Sequence, residues 1–259
     1  MIALLILILS VSFLVIRHFT WKAQAWPEGA LRPPQYQGHR GYWKEGAQEN
    51  TLASFMAAKK RGLQMIEMDV RLSKDNVVVV FHDNDLKRLG NVEKLVNELT
   101  AAELATASQV VSLEALLQSN DIPPYLNIEL KTDKAFDGSL ETEVAKLVRK
   151  HKAEKRILFS SFNPLAINRL KKLLPEVPRA LLATKEDDPA NRFYLKHMLF
   201  APYIGANALH LDYNYVSIAE LEKWNRRKIP VAFWTVNDPA VAKNLLQHGA
   251  LSIISDTLV

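Results

Sequence analysis

The 259-residue chain contains no cysteine. This absence excludes disulfide bonds, thiolate zinc sites and cysteine nucleophiles, so any metal ion would need carboxylate, carbonyl or imidazole ligands. The sequence also lacks an Asn-x-Ser/Thr glycosylation site, an internal repeat and a low-complexity tract. Its hydrophobic content of 48% is ordinary for a globular protein. These observations leave a folded chain of ordinary composition, long enough to bury a full-sized core.

The charge balance is mildly basic. Lysine and arginine number 33 against 28 acidic residues, which gives a formal charge of +5. Such an excess favours anionic partners in general, including phosphates and lipid head groups. We expect no nucleic-acid partner. The length suits a single α/β barrel, because such barrels commonly run to about 250 residues as one domain.

The N-terminus carries an apolar run without charge over residues 2–16. Counted on to residue 21, with Arg17 and His18 reaching the interface, it gives about 20 residues, enough to span a bilayer. The sequence therefore predicts a transmembrane anchor over 1–21 and a linker over 22–36. A cleaved signal peptide is the alternative, since "AQA" at 23–25 resembles a cleavage site. The basic residues that follow the run predict a cytoplasmic catalytic domain.

Short apolar runs alternate with helical patterns over residues 37–259, which is typical of repeated βα units with a parallel sheet. Eight strands, the number that closes a barrel, are predicted at 36–40, 64–72, 125–130, 156–161, 179–183, 208–212, 230–235 and 251–255. Helices are predicted at 51–61, 112–118, 141–151, 165–174, 189–198, 217–227 and 239–247. The pattern of residues 76–83 predicts a strand that forms a hairpin with the second strand, and a short insertion begins there. The predicted fold class is α/β, a (β/α)8 barrel preceded by the N-terminal helix.

Acidic residues lie late in the second and third predicted strands. Glu67 and Asp69 in "MIEMDV" are two positions apart, so their side chains share one face of the strand. Glu129 lies near the end of the next strand. Burying three carboxylates together is unfavourable without a positive charge, and a hard divalent cation such as Ca²⁺ or Mg²⁺ would supply it. An ion-pair network with basic neighbours is the alternative.

Two histidines also lie at strand ends, His39 after the first strand and His82 after the hairpin. Two imidazoles beside a metal-bound phosphate can act as general base and general acid near neutral pH. We take His39 as the base and His82 as the acid as a working hypothesis. Arg40 and Lys131 would supply fixed positive charge for phosphate oxygens, or would balance the carboxylates.

Eight short motifs, in order along the chain, resemble the glycerophosphodiester phosphodiesterase family. They are "GHRG" at 38–41, "ENT" at 49–51, "EMDV" at 67–70, "VVFHD" at 79–83, "NIELK" at 127–131, "SSF" at 160–162, "WTVND" at 234–238 and "SDT" at 255–257. The resemblance implies a TIM barrel with a small insertion after the second strand. It implies metal ligands at Glu67, Asp69 and Glu129, acid/base histidines at His39 and His82, and phosphate contacts at Arg40 and Lys131.

Two further positions receive roles through the same resemblance, and two aromatic rings receive theirs from their places at the ends of predicted strands. Glu49 would reach the metal or hold Arg40, and Asn50 would fix the first loop by hydrogen bonds. Phe162 and Trp234 would line the substrate pocket, since bulky rings near strand ends commonly meet ligands. Packing in the core is the alternative for both rings.

The activity implied is hydrolysis of glycerophosphodiesters to glycerol 3-phosphate and an alcohol, with one divalent cation, Ca²⁺ or Mg²⁺, as cofactor. Two alternatives remain open. A lysophospholipase D would use the same site on lysophospholipids at the membrane surface, and a non-catalytic module would bind a phosphodiester without cleaving it.

Overall fold

A computed structural model describes residues 2–132, 134–189 and 191–259. Its centre is a closed barrel of eight parallel strands: β1 (Tyr36–Gly38), β2 (Met65–Leu72), β6 (Tyr125–Leu130), β7 (Ile157–Ser161), β8 (Arg179–Ala183), β9 (Ala208–Asp212), β10 (Val231–Trp234) and β11 (Ser252–Ser255). Neighbours along the chain pair in parallel, and β1 closes the ring by pairing with both β11 and β2. The predicted (β/α)8 barrel is therefore confirmed, with strand boundaries that differ from the predicted ones by at most two residues.

The helices of the described chain are α1 (Ile2–Thr20), α2 (Leu52–Lys60), α3 (Lys87–Gly90), α4 (Ala101–Ser108), α5 (Leu113–Gln118), α6 (Ser139–Lys150), α7 (Pro164–Leu173), α8 (Phe193–Lys196), α9 (Ala201–Ile204), α10 (Ile218–Arg226) and α11 (Pro239–Gln247). Several begin where the sequence places a capping residue. Thr51 and Ser217 close capping boxes on α2 and α10, and Asp238 caps α11. These caps satisfy N–H groups that a helix start leaves without intrahelical partners.

The predicted helix over 189–198 is wrong. Among its described residues, only Phe193–Lys196 are helical, and a second short helix, α9, follows unpredicted. The Asn191 side chain donates to the carbonyls of Thr184 and Glu186, which holds the chain in a loop, and Arg192 is extended. Local polar contacts thus replace about the first turn of the expected helix.

The insertion after β2 carries catalytic candidates to the barrel mouth. Strand β3 (Val78–Val80) pairs antiparallel with β2, as predicted, and β4 (Asp85–Leu86) pairs with β5 (Val92–Leu95) in a separate two-stranded sheet. Buried apolar side chains give this insertion a cluster of its own: Val79, Phe81, Leu86, Val96, Leu99, Leu104 and Val110. The cluster anchors the segment that bears His82.

The transmembrane anchor predicted over residues 1–21 is not supported, because within the described chain no helix is both long and apolar enough to cross a bilayer. The uncharged run of fifteen residues would extend about 22 Å, against a hydrocarbon core of about 30 Å. Arg17 and His18, which the prediction counted toward the span, form hydrogen bonds with α9 and with the end of α10. Arg17 donates to Pro202 O at 2.9 Å, and Arg227 donates to His18 O at 3.1 Å. The cytoplasmic location stays a prediction.

Gly41 fixes the loop between β1 and α2. Its φ is +88°, and a Cβ there would lie 2.5 Å from Ser54 Oγ, whose hydroxyl donates to Arg40 O. Gly46 is the matched control in the same loop, since its φ is +101° but no described atom lies within 4 Å of a built Cβ.

We expect Gly41→Ala to lower both stability and activity more than Gly46→Ala does. Both variants incur about 1–2 kcal/mol of left-handed strain, and Gly41→Ala adds a clash of roughly 1–3 kcal/mol that displaces Arg40. Urea unfolding and phosphodiester hydrolysis by the two variants measure the difference. Equal losses in both would show that the loop tolerates the added methyl group.

Candidate active site at the carboxyl ends of the strands

The structure brings three carboxylates together at the mouth of the barrel. Glu67 and Asp69 lie on β2, and Asp69 is in register with Glu129 on the neighbouring strand β6. One oxygen from each lies within 4.8 Å of the others, and all three residues are buried. The period of two along β2 and the parallel pairing of β2 with β6 are what produce this cluster.

Basic side chains neutralise only part of this charge. Lys131 Nζ lies 2.5 Å from Glu129 Oε1 and 3.2 Å from Asp69 Oδ1, and Arg40 Nε lies 3.4 Å from Asp69 Oδ2. Glu67 accepts a hydrogen bond from Arg40 N at 3.1 Å and forms no ion pair with a described residue. The ion-pair network considered as the alternative is therefore present, but it leaves one carboxylate without a cationic partner.

The pKa values of Glu67 and Asp69 shift in opposite directions as a result. Burial, then the charges of Asp69 and Glu129, raise the pKa of Glu67 well above its ordinary value. Burial would also raise the pKa of Asp69, but Lys131, His82 and Arg40 outweigh it and lower that pKa. The cluster of hard oxygen donors with an excess negative charge could hold a metal ion of the Ca²⁺ or Mg²⁺ type.

Each candidate histidine is held by a carboxylate. His39 Nδ1 lies 2.8 Å from Asp256 Oδ1, and the other oxygen of Asp256 accepts from Asn237 Nδ2 at 2.9 Å. His82 Nδ1 lies 2.7 Å from Asp83 Oδ1. An ionised carboxylate only accepts, so each Nδ1 carries a proton; the Nε2 of a neutral ring then accepts, and the Nε2 of a doubly protonated ring donates. Burial lowers the pKa of His82, against the opposing effect of Asp69.

Arg88, from the insertion helix α3, links Asp83, which holds His82, to Glu49, which holds Arg40. Its guanidinium donates to both oxygens of Asp83, at 2.7 and 3.2 Å, and to both oxygens of Glu49, at 2.6 and 3.1 Å. Glu49 in turn accepts from Arg40 Nη1 at 2.8 Å. Glu49 therefore holds Arg40, which was one of its two expected roles. Planar guanidinium groups suit such paired carboxylate contacts.

Asn50 fixes the loop after β1 by two hydrogen bonds to Asp69. Its Nδ2 donates to Asp69 Oδ2 at 2.8 Å, and its Oδ1 accepts from Asp69 N at 3.3 Å. Asn50 itself has a φ of +57°, a conformation that asparagine tolerates better than most residues. This contact orients the Asp69 carboxylate within the cluster.

A cavity of about 230 Å³ opens between the histidines and the acids. Phe162 and Trp234 both line it, with ring centroids 5.7 Å apart in an edge-to-face arrangement. The indole N–H of Trp234 donates to His210 O at 3.1 Å, which fixes the ring at the end of β10. The expected pocket residues thus lie on its wall.

Sequence reasoning singled out neither Asp83, Asp256 nor Arg88. The two aspartates stood inside the quoted motifs "VVFHD" and "SDT", next to a candidate histidine in the first case. Arg88 had no such signal, because its partners Asp83 and Glu49 are identified only by the folded insertion.

Comparison with known proteins gives consistent matches. A sequence model of the Glycerophosphoryl diester phosphodiesterase family matches residues 39–259. A glycerophosphodiester phosphodiesterase from Caldanaerobacter subterraneus is 27% identical over 84% of this chain and 92% of its own length.

Two solved structures extend the comparison to the fold. A glycerophosphodiester phosphodiesterase from Thermotoga maritima is 27% identical, with a TM-score of 0.68 over 86% of this chain and 94% of the other. A phosphodiesterase from Oleispira antarctica, solved with the product sn-glycerol-3-phosphate, is 26% identical with a TM-score of 0.74, over 86% and 93% of the two chains.

Proposed function

This chain belongs to the glycerophosphoryl diester phosphodiesterase family, and from that membership we propose how its own residues perform the reaction. It is an enzyme that hydrolyses glycerophosphodiesters to glycerol 3-phosphate and an alcohol. One feature of the structure supports this assignment of roles. Both carboxylate-held histidines line a single cavity together with Glu67 and Glu129, and the third buried carboxylate, Asp69, lies within the same cluster.

Glu67, Asp69 and Glu129 would hold one divalent cation, Ca²⁺ or Mg²⁺. The fit rests on their oxygen donors, on their spacing and on the absence of a described cationic partner for Glu67. When bound, the cation supplies positive charge that stabilises the negative charge growing on the phosphate oxygens.

Arg40 and Lys131 bind and orient the phosphate. Both side chains are mostly buried yet retain about a sixth of their exposure, 17% and 16%, at the cavity they line. Glu49 on one side, and Glu129 with Asp69 on the other, hold them in place. Charges fixed in this way need little reorganisation as the reaction proceeds.

The two histidines move the protons. One Nε2 takes the proton of the attacking hydroxyl, from water or from the 2-hydroxyl of the substrate glycerol, and the other gives a proton to the leaving oxygen. With His39 as base and His82 as acid, the P–O bond to the alcohol breaks as the new P–O bond forms. Attack by water gives glycerol 3-phosphate directly, whereas attack by the 2-hydroxyl gives a cyclic phosphate that water must then open. Asp256 holds the proton of the base on Nδ1 and leaves its Nε2 free to accept, while the charges of Asp83 and Asp69 favour the doubly protonated form of His82, whose Nε2–H can be donated.

A direct assay tests the function. The full chain is incubated with glycerophosphocholine, glycerophosphoethanolamine and glycerophosphoglycerol, each with Ca²⁺, Mg²⁺ or a chelator. We expect cation-dependent release of glycerol 3-phosphate. Binding of these compounds without cleavage, under every cation, would instead favour the non-catalytic module.

Arg88→Gln tests the link between the insertion and the site. We expect kcat for glycerophosphocholine to fall about 10- to 100-fold with a smaller change in KM, because Asp83 and Glu49 lose their shared partner. Arg88→Lys should rescue little, since an ammonium cannot make both paired contacts.

The matched control is Lys87→Gln, which removes an exposed charge from the same helix. Among the described residues, Lys87 forms an ion pair only with the exposed Glu93. It should leave kcat unchanged. Full recovery of activity in Arg88→Lys would show that charge alone, without the paired geometry, is sufficient at this position.

A further inference from the structure

A third histidine, His210, lies deep in the catalytic cavity and takes no part in the mechanism proposed above. It belongs to β9, its side chain is fully buried, and it lines the same cavity as His39 and His82. Neither of its ring nitrogens has a hydrogen-bond partner among the described residues. Burying a polar group without a partner lowers stability, so a partner that enters the cavity would account for this histidine.

The neighbours of His210 in the barrel do not supply that partner. In the sheet it is in register with Leu182 on one side and with Ala232 on the other, and neither side chain forms hydrogen bonds. Four other buried polar side chains of the barrel strands are bonded to one another, at 2.9–3.0 Å: Ser160, Asn127, Gln37 and Ser252. The imidazole of His210 stays outside this chain of hydrogen bonds.

His210 lies across the barrel from the carboxylate cluster. Three strands separate β9 from β2 in either direction around the closed ring. The cavity walls beside His210 are formed by Leu182, Phe162 and Trp234, whereas Arg40 and Lys131 line it near the carboxylates. A phosphodiester whose phosphate is held by the two cations therefore extends across the cavity toward His210.

The ring of His210 has the chemistry to bind a hydroxyl group. Burial lowers its pKa to about 3, so the imidazole is neutral at neutral pH. A neutral imidazole has one N–H donor and one acceptor nitrogen, which match a hydroxyl group that both accepts and donates. Because no described partner fixes the ring, half a turn about Cβ–Cγ can bring either edge toward the cavity.

We propose that His210 binds the terminal hydroxyl of the glycerol moiety, which rests on the proposed phosphodiesterase function and adds a specificity-determining residue to it. With the phosphate held by Arg40 and Lys131, the glycerol lies beside Phe162 and Trp234, and its terminal hydroxyl is the glycerol group farthest from the phosphate. The 2-hydroxyl stays close to the phosphate. His210 thereby selects a hydroxymethyl end over a methyl end at this position.

The test uses two substrates that differ in one oxygen atom. The first is glycerophosphocholine, and the second is the phosphocholine ester of propane-1,2-diol, which lacks only the terminal hydroxyl. Esterified choline has no hydroxyl, so the head group does not contribute to the difference. We expect the wild-type kcat/KM to be about tenfold higher for glycerophosphocholine, mainly through KM, because the analogue leaves the buried ring without a partner.

His210→Leu should reduce this preference to within about twofold, because it removes both nitrogens. Without substrate, it should unfold at an equal or higher temperature than wild type, since an apolar side chain replaces a buried polar group that has no described partner. His210→Gln keeps a donor and an acceptor and should retain part of the preference. Leu182→Met is the matched control: it alters the same cavity without a polar group and should change kcat/KM for both substrates by the same factor.

Four results separate the possibilities. Equal wild-type kcat/KM for the two substrates would show that His210 binds no terminal hydroxyl. A preference that persists in His210→Leu would assign the recognition to another residue. A lower Tm of that variant, with equal losses on both substrates, would show that His210 only packs the barrel. Failure of the wild-type chain to hydrolyse either compound would reject the underlying phosphodiesterase function itself.

Discussion

Replacing His82 with alanine should reduce kcat for glycerophosphocholine by about 10²- to 10⁴-fold, the usual range for loss of a general acid or base. The His39→Ala variant should show a loss of the same order. Both imidazoles line the same cavity and are held by Asp83 and Asp256. Each substitution therefore removes a proton-transfer group that water replaces poorly. Steady-state kinetics with saturating cation measure the effect.

A second substrate separates the two roles. When the leaving group of the glycerophosphodiester is p-nitrophenol, it departs as the phenolate and needs no proton. On this substrate the variant that lacks the acid should recover most of its activity, while the variant that lacks the base should not. Under the working hypothesis, His82→Ala recovers.

His151→Ala is the control. Its imidazole is also paired with a carboxylate, at 3.0 Å from Glu114, but it lies away from the cavity. It should keep wild-type kinetics. Near wild-type turnover in either the His39 or the His82 variant would remove that histidine from the reaction.

The carboxylate cluster gives the second large effect. Glu67→Gln keeps the shape of the side chain and removes its charge. We expect loss of cation binding and a fall in kcat/KM of at least about a hundredfold, since the bound ion contributes several kcal/mol of charge stabilisation. Asp69→Asn should behave similarly, although it also disturbs the contacts with Asn50 and Lys131.

Thermal unfolding reports the same site without an activity assay. Added Ca²⁺ or Mg²⁺ should raise the Tm of the wild-type chain, because an ion that binds only the folded state stabilises it, and should not raise that of Glu67→Gln. Without added cation, the variant should unfold at an equal or higher temperature than wild type. Burial and two neighbouring carboxylates disfavour the charge on Glu67, as its raised pKa indicates.

Glu143→Gln is the control, since Glu143 pairs with Lys146 on the exposed face of α6. It should respond to cation as wild type does. A cation-induced rise in Tm that persists in both Glu67→Gln and Asp69→Asn would place the ion elsewhere.

Much of the framework was predictable because it depends on local patterns. Each barrel strand is a short apolar run between turn residues, and its boundaries follow from the sequence nearly residue by residue. The carboxylate cluster follows from the same information. A spacing of two puts Glu67 and Asp69 on one face, and a parallel barrel gathers the carboxyl ends of β2 and β6 at one mouth.

Patterns at the edge of the barrel were less informative. An apolar run alone does not define a bilayer span, and the end of α1 is hydrogen-bonded to α9 and to the end of α10 through Arg17 and His18. Helical periodicity alone did not predict the loop at Asn191, where side-chain hydrogen bonds to nearby carbonyls compete with the helix.

By itself, then, the sequence determined the barrel, its strand ends and the chemical identity of the acids and histidines, because period, spacing and residue type are local properties. Only the tertiary structure decided what holds those groups and what lies beside them. Arg88 meets Glu49 across 39 positions of sequence, and Asp256 meets His39 across 217. Contacts at such separations depend on how the loops fold over the barrel mouth, which no local pattern records.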